Sequence, residues 1–321
     1  MALAVHFHDQ TQQPHEASLR DEALAGFAAS PKRISPKFFY DRRGSELFEQ
    51  ICLQPEYYLT RTEELILAEA ANDIRRIAGP QTDLIELGSG ASRKVRLLLE
   101  GLRPVSYLGI DISEDFLLTS TQRLAADYPW LEVHAACADF SDELRLPTDF
   151  TIHHPLVFFP GSSIGNFTPL QARKLLGHLH EVLPEGGGML VGVDLVKDRD
   201  VLEAAYNDRA QVTAAFNLNL LQRIRQELDS DIDPSRFAHQ AFFNDNDSRI
   251  EMHLVSREAQ DVTIEGQRFH FDAGESLHTE NSYKYTLQSF ANLANSAGFD
   301  CSGQWTDSQT LFSVHYLQRR Q

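Results

Sequence analysis

The stretch Asp83-Leu84-Ile85-Glu86-Leu87-Gly88-Ser89-Gly90 decides how the chain is read. Five mostly apolar residues, short enough for a buried strand, run straight into a glycine-containing turn. Downstream, Lys94–Leu99 has helical spacing and Ser106–Asp111 reads as a second strand. Glu114–Tyr128 follows as a helix and Leu131–Ala135 as a third strand, while Pro155–Phe159 and Gly188–Asp194 bracket a helix over Pro169–Leu183. Upstream, Thr60-Arg61-Thr62-Glu63 looks like a helix start, and Leu65, Ile66, Ala68, Ala70, Ile74 and Ile77 form one apolar face. Regular alternation of this kind predicts an α/β, Rossmann-like parallel sheet covered by helices on both faces.

The alternation breaks after residue 196. A long helical tract is expected over Val201–Leu228, then strand-like pieces such as Arg249–Val255. Thr286–Ala297 is helical again and stops at Gly298, and strands are expected at Asp300–Trp305 and Leu311–Leu317. We therefore expect a cofactor domain at 61–196 and 286–321, interrupted by a smaller α+β substrate domain at 197–285 that also takes residues 1–60. Residues 1–18, polar and rich in Gln and His, are expected to form a loose arm.

Composition narrows the function classes. The 321 residues carry a formal net charge of −17, which repels phosphate backbones, so no nucleic-acid partner is expected. Cys52, Cys137 and Cys301 are widely spaced, which fits a reducing compartment and excludes a Cys-rich zinc site. There is no basic region followed by an apolar core at the start of the chain, and no run of about 18 apolar residues. A cytoplasmic monomer with small-molecule partners and no membrane association is the expectation.

Gly88 and Gly90 suit a turn where a ligand approaches the backbone closely, since glycine tolerates positive φ and has no Cβ. The full dinucleotide fingerprint fails, because Arg93 stands where its last glycine belongs. That disfavours a nicotinamide oxidoreductase and favours S-adenosylmethionine, which has no pyrophosphate. Asp111 ends the second strand about twenty residues beyond Gly90, where an acid accepts hydrogen bonds from ribose hydroxyls. Asp139-Phe140 after the third strand suits an adenine amine and ring face. Singly, each residue also reads as a turn former, a cap or a core group; together, in strand order, they point to a nucleoside.

At this point the sequence resembles the histidine Nα-methyltransferases of ergothioneine biosynthesis. The likeness rests on Glu86–Lys94, on Phe159-Pro160-Gly161-Ser162-Ser163-Ile164-Gly165-Asn166-Phe167 and on Pro55-Glu56-Tyr57-Tyr58. Lys37-Phe38-Phe39-Tyr40-Asp41 and Val212-Thr213-Ala214-Ala215-Phe216-Asn217 add to it. The resemblance implies a class I methyltransferase sheet whose Gly88, Lys94, Asp111, Asp139 and Phe140 hold S-adenosylmethionine. It implies that Tyr57, Asn166 and Tyr206 hold the amino-acid backbone and that Tyr40 lies near the amine. Glu280 and Ser282 would recognise the imidazole, with Met252 lining the same pocket. The reaction implied is three successive methylations of L-histidine, through its mono- and dimethyl forms, to hercynine. The chain departs from the family pattern at Leu59, where proline is expected, and at Asn281 and Tyr283, which flank Ser282.

Methyl transfer is an in-line displacement, so alignment and desolvation are the main tasks, and the acceptor ammonium must first lose a proton. No His or Lys stands out as base; the Tyr40 hydroxyl is the candidate for orienting the amine. Without the resemblance, Tyr57, Tyr58, Tyr206 and Phe216 read as core aromatics and Asn166 as the cap of the helix at Pro169. No HxxxH or HExxH occurs among the thirteen histidines, and Asn244–Ser248 lacks the glycine and distal acid of a calcium loop, so no metal is expected. Two alternatives stand beside the histidine reading. One is an N-methyltransferase of another amino acid such as tryptophan, which Glu280 disfavours. The other is a non-catalytic S-adenosylmethionine sensor, which would have no use for Tyr40, Asn166 and Tyr206.

Overall fold

The computed structural model describes residues 5–9, 18–140, 146–148 and 150–320. Two compact units emerge. One comprises Met1–Gln13, Leu59–Val196 and Tyr283–Gln321; the other comprises Pro14–Tyr58 and Lys197–Ser282.

The first unit is built on an eight-stranded sheet in the order His6–Asp9, Glu132–Cys137, Ser106–Asp111, Asp83–Leu87, Pro155–Phe159, Gly188–Asp194, Phe312–Arg319, Phe299–Thr306. The first six run parallel, and the last two close the sheet antiparallel. Asp83–Leu87 lies between Ser106–Asp111 and Pro155–Phe159, so the chain winds outward in one direction from it and then in the other. Such a switch point leaves a crevice at the carboxyl ends of the strands, where ligands bind in open α/β sheets. All five residues of the central strand are buried. At its start the Asp83 carboxylate accepts the His153 and His154 N–H groups at 2.7 and 3.0 Å and the Ser106 hydroxyl at 2.8 Å, tying three neighbouring strands together.

Helices form where the pattern asks for them. Pro169–Val182 opens with a capping box in which Thr168 and Gln171 satisfy each other's backbone N–H, and it buries Ala172, Leu175, Leu176 and Leu179 on one stripe. That stripe packs with Ile85, Leu87, Val157, Phe159, Val191 and Phe290 in the main core. Among the described residues no helix is long and apolar enough to cross a membrane.

The second unit has a four-stranded sheet, Lys32–Arg33, Ser276–Tyr283, Arg249–Ser256 and Phe237–Asn244, with a separate hairpin of Gln260–Ile264 and Gln267–Phe271. The helix Leu19–Ala28 contributes Phe27, whose ring meets Phe269 and Phe271 edge-on at 5.8 and 5.7 Å.

Two expectations need correction. The expected loose arm contains a strand: His6–Asp9 pairs in parallel with Glu132–Cys137, held by ladder bonds and by rings stacked on His134. Residues 1–4 and 10–17 of that arm lie outside the described residues. The single tract Val201–Leu228 is two helices, Arg199–Tyr206 and Val212–Glu227. Asp208 breaks it, because its carboxylate accepts the Val212 and Thr213 N–H groups, both at 2.8 Å, and so starts a new helix.

Lys284 and Asp194 form an ion pair at 2.7 Å with neither side chain exposed. Lys284→Met removes the ammonium beside a buried carboxylate and should destabilise this unit by roughly 3–5 kcal/mol. Urea unfolding measures it; a loss below 1 kcal/mol would show that the charge is compensated by other groups.

Candidate functional site

In the first unit the switch point is lined by backbone. Gly88 takes φ +68°, and a Cβ there would point at the Phe140 ring, 3.8 Å away. A side chain would strain the turn and fill the space in front of that ring, so glycine keeps a cradle open. Asp111 closes the turn: its carboxylate accepts the Gly90 and Ser113 N–H groups, each at 2.9 Å. Burial pushes its carboxyl upward, opposed by those N–H donors. Phe140 packs edge-on against Phe159 at 5.6 Å, and Asp139 precedes it after Glu132–Cys137. The structure brings Gly88 to Phe140 and Gly90 to Asp111, with Asp139 next to Phe140 in the chain. Their open turn, half-buried acid and aromatic edge fit a nucleoside.

Lys94 joins through a residue the sequence gave no role. Glu63, on the helix Tyr58–Ala78, is fully buried; it pairs with Lys94 Nζ at 2.6 Å and accepts the Gly161 N–H at 2.8 and 3.1 Å. The loop from Gly161 continues into the short 3-10 turn Ser163–Asn166, which carries half-buried Asn166. The helix after it is capped by Thr168, not by Asn166, which removes the bland explanation for that residue.

Glu86, below the turn, is buried and receives the Tyr107 hydroxyl at 2.7 Å. Burial raises its carboxyl to about 8, with the Tyr107 hydrogen bond opposing.

The second unit holds an aromatic-walled pocket lined by Tyr40, Phe48, Ile51, Tyr57, Ala205, Tyr206, Thr213, Phe216, Met252 and Glu280. The local sequence builds it directly. Lys37–Asp41 buries Phe38 and Phe39, turns at Tyr40, and ends with Asp41 capping the helix Arg42–Cys52. Phe39 packs on Phe216 at 4.6 Å, while Tyr40 meets Phe48 and Phe216 edge-on at 5.8 Å. Tyr57 and Tyr206 are 6.3 Å apart between ring centres, and the Tyr206 hydroxyl donates to Ser282 Oγ at 2.8 Å. Burial, then Tyr206, holds the Tyr57 hydroxyl well above its ordinary range, so it stays a proton-bearing donor. Neighbouring Tyr58 points elsewhere, accepting from Lys197 Nζ at 2.6 Å.

Behind Tyr206 runs a buried relay unseen in the sequence. Thr279 donates to Asn217 Oδ1 at 2.8 Å, Asn217 Nδ2 donates to His239 Nδ1 at 2.9 Å, and His239 Nε2 donates to the Tyr206 carbonyl at 2.8 Å. Burial lowers the His239 pKa, which keeps the ring neutral and able to accept from Asn217. The one clue was an amide, Asn217, among Phe216, Leu220 and Ile224 on a buried helix face. Of the expected substrate residues, Tyr40, Tyr57, Tyr206, Met252 and Glu280 share this pocket, Ser282 touches Tyr206, and Asn166 belongs to the other unit.

Comparison with known proteins follows the same line. A model of the family described as histidine-specific methyltransferase, SAM-dependent, matches residues 19–319. The histidine N-alpha-methyltransferase of Mycolicibacterium smegmatis is 40% identical over 309 residues, covering 94% of this chain and 95% of that protein. Its counterpart from Mycobacterium tuberculosis is 38% identical, covering 92% and 94%. Ergothioneine biosynthesis protein 1 of Neurospora crassa is 27% identical over 95% of this chain and 35% of its own length. Among solved structures, the CcbJ methyltransferase from Streptomyces caelestis superimposes with a TM-score of 0.48 at 14% identity, over 79% of this chain and 90% of that one.

Because the Glu86 carboxyl titrates near 8 when folded against an ordinary 4.5, the folded state holds the extra proton between those values. Its contribution to stability therefore falls as pH rises through that window, by up to about 1.4 kcal/mol per pH unit. Glu86→Gln keeps the acceptor for Tyr107 and removes the titration. Urea midpoints taken at pH 5 and 7.5 should show the variant gaining about 3 kcal/mol on the wild type across that range. Parallel pH profiles would refute the assignment.

Proposed function

Since the chain belongs to the family of histidine-specific, S-adenosylmethionine-dependent methyltransferases, we propose that it transfers methyl groups to the α-amine of L-histidine three times in succession. The product is hercynine, the trimethylated amino acid that leads to ergothioneine. The observation that carries this reading is the pocket of the second unit, where aromatic walls and neutral hydroxyls surround one half-buried carboxylate, Glu280.

S-adenosylmethionine supplies, when bound, a methyl group activated by its sulfonium. Gly88, Gly90, Lys94, Asp111, Asp139 and Phe140 would hold it: Asp111 accepts from ribose hydroxyls, and Phe140 with Asp139 takes the adenine. Glu280 accepts an N–H of the substrate imidazole as a charge-assisted hydrogen bond, and Ser282 completes that recognition beside Tyr206. Met252 lines the imidazole end. Tyr57 and Asn166 donate to the substrate carboxylate, and Tyr206 joins them by turning its hydroxyl proton away from Ser282 Oγ, which accepts it in the structure. Several neutral donors replace the arginine that usually performs this role, and the lining residues include no Arg or Lys. The aromatic walls exclude water, which lowers the cost of exposing an amine lone pair. Tyr40 orients the amine as its proton departs. Each successive methyl removes an N–H, so Tyr40 must accept fewer hydrogen bonds in later rounds. The same reading makes the protein a monomer of the cytoplasm with small-molecule partners only.

Two measurements test it. Incubation with S-adenosylmethionine and the twenty amino acids, followed by mass spectrometry, should yield histidine carrying one, two and three added methyl groups as the dominant products, with only trace methylation of the other nineteen. Cofactor binding with no methylated product would instead favour the sensor. In the second, Glu280→Ala removes a charge-assisted hydrogen bond of roughly 1.5–3 kcal/mol. That corresponds to a fall of about 10- to 100-fold in kcat/KM for histidine. Residual activity on tryptophan should fall less; equal losses would exclude Glu280 as the imidazole reader.

A further inference from the structure

Away from both clusters, imidazoles gather at the edge of the eight-stranded sheet. His6–Asp9 runs parallel to Glu132–Cys137 with His6 opposite His134. Residues two apart on a strand share a face, and residues in register on paired strands share it too. His6, His8, Glu132 and His134 therefore project to the same side. The His134 ring stacks with His6 at 4.6 Å and with His8 at 5.5 Å between centres. Its Nε2 lies 2.9 Å from Glu132 Oε1 and its Nδ1 lies 3.2 Å from His8 Nε2. One ligating atom from each of His6, Glu132 and His134 falls within 4.8 Å of the other two.

We propose that His6, Glu132 and His134 form a divalent transition-metal site of the zinc type, with His8 orienting His134 from behind. The donor set of two imidazoles and one carboxylate is one that zinc accepts, at about 2.0–2.2 Å, with a fourth position left to water. Donors around a tetrahedral zinc sit about 3.3 Å apart. The His134–Glu132 separation is already near that value, and the His6 ring, exposed at the surface, needs only to turn inward. A metal-bound imidazole characteristically uses its second nitrogen to bond a neighbour that fixes ring orientation, which is the place His8 occupies. Buried His134 anchors the site, while exposed His6 and Glu132 give a metal access from solvent. A second cluster, Glu251, His253 and His278, also brings its ligating atoms within 4.8 Å of one another, but Arg249 already pairs with the Glu251 carboxylate at 2.7 Å and repels a cation there. The site carries no part of the methyl transfer; it would staple a four-residue edge strand to the sheet.

The test uses the full chain, stripped with EDTA and dialysed, then titrated calorimetrically with zinc chloride at pH 7.5. One zinc per chain should bind, more weakly at pH 5.5 where protons compete for imidazole nitrogen. His6→Ala and Glu132→Gln change exposed side chains, should keep the circular dichroism spectrum, and should each weaken binding at least about tenfold; His8→Phe should cost about 10- to 100-fold. Glu251→Gln should bind zinc like the wild type. Zinc should also slow amide exchange in peptides spanning 6–9 and 132–137 of the wild type, and not of His6→Ala. Absence of saturable uptake, unchanged affinity in both His6→Ala and Glu132→Gln, or loss confined to Glu251→Gln would overturn the proposal.

Discussion

A carboxylate sealed from water survives only among donors that compensate it, and the first unit is arranged around one such group. Glu63 holds Lys94 from the segment after the central strand and the Gly161 N–H from the segment after the next strand. These two segments flank the switch point, so one side chain on a preceding helix sets the spacing of both walls of the crevice. The sheet supplies the place, and Glu63 fixes the shape of its rim.

The second unit solves a parallel problem with neutral groups. Its pocket needs tyrosine hydroxyls that remain donors, and burial serves that end by disfavouring the phenolate at Tyr57. The relay from Thr279 through Asn217 to His239 ends on the Tyr206 backbone and so anchors the C-terminal end of its helix. Every donor along it has an acceptor, which is the condition under which a buried polar network rigidifies its surroundings.

How far all this was legible depended on whether the signal was local. The strand ending at Gly88 and the position of Asp111 follow from periodicity and turn chemistry, while the aromatic segment around Tyr40 came from the family resemblance. The structure places the first two at the switch point and Tyr40 on the wall of the aromatic pocket. Glu63 was invisible because an acid near a helix start reads as a favourable first-turn charge; its partners are about 30 and 98 residues away. The break at Asp208 was hidden because helix-forming residues surround it and only its two backbone acceptances reveal a cap. The strand at His6 was missed for a different reason: four residues are too few to show a period, and the residue paired with His6, His134, comes 128 residues later.

Gly192 bears on all of this in an unexpected way. A Cβ at that strand position would lie 2.0 Å from Glu63 Oε1, so the glycine is the cavity into which the carboxylate fits. The two positions therefore behave as one locus. Any larger residue at 192 is excluded while Glu63 stands, and shortening Glu63 opens room that a side chain at 192 could then occupy. Substitutions at the two places will not combine additively, although a shortened Glu63 still gives up the Lys94 and Gly161 contacts and the Phe312 ring, 3.1 Å from the same Cβ, still crowds position 192. Mutational scans of single changes would score both sites as fixed and miss the coupling between them.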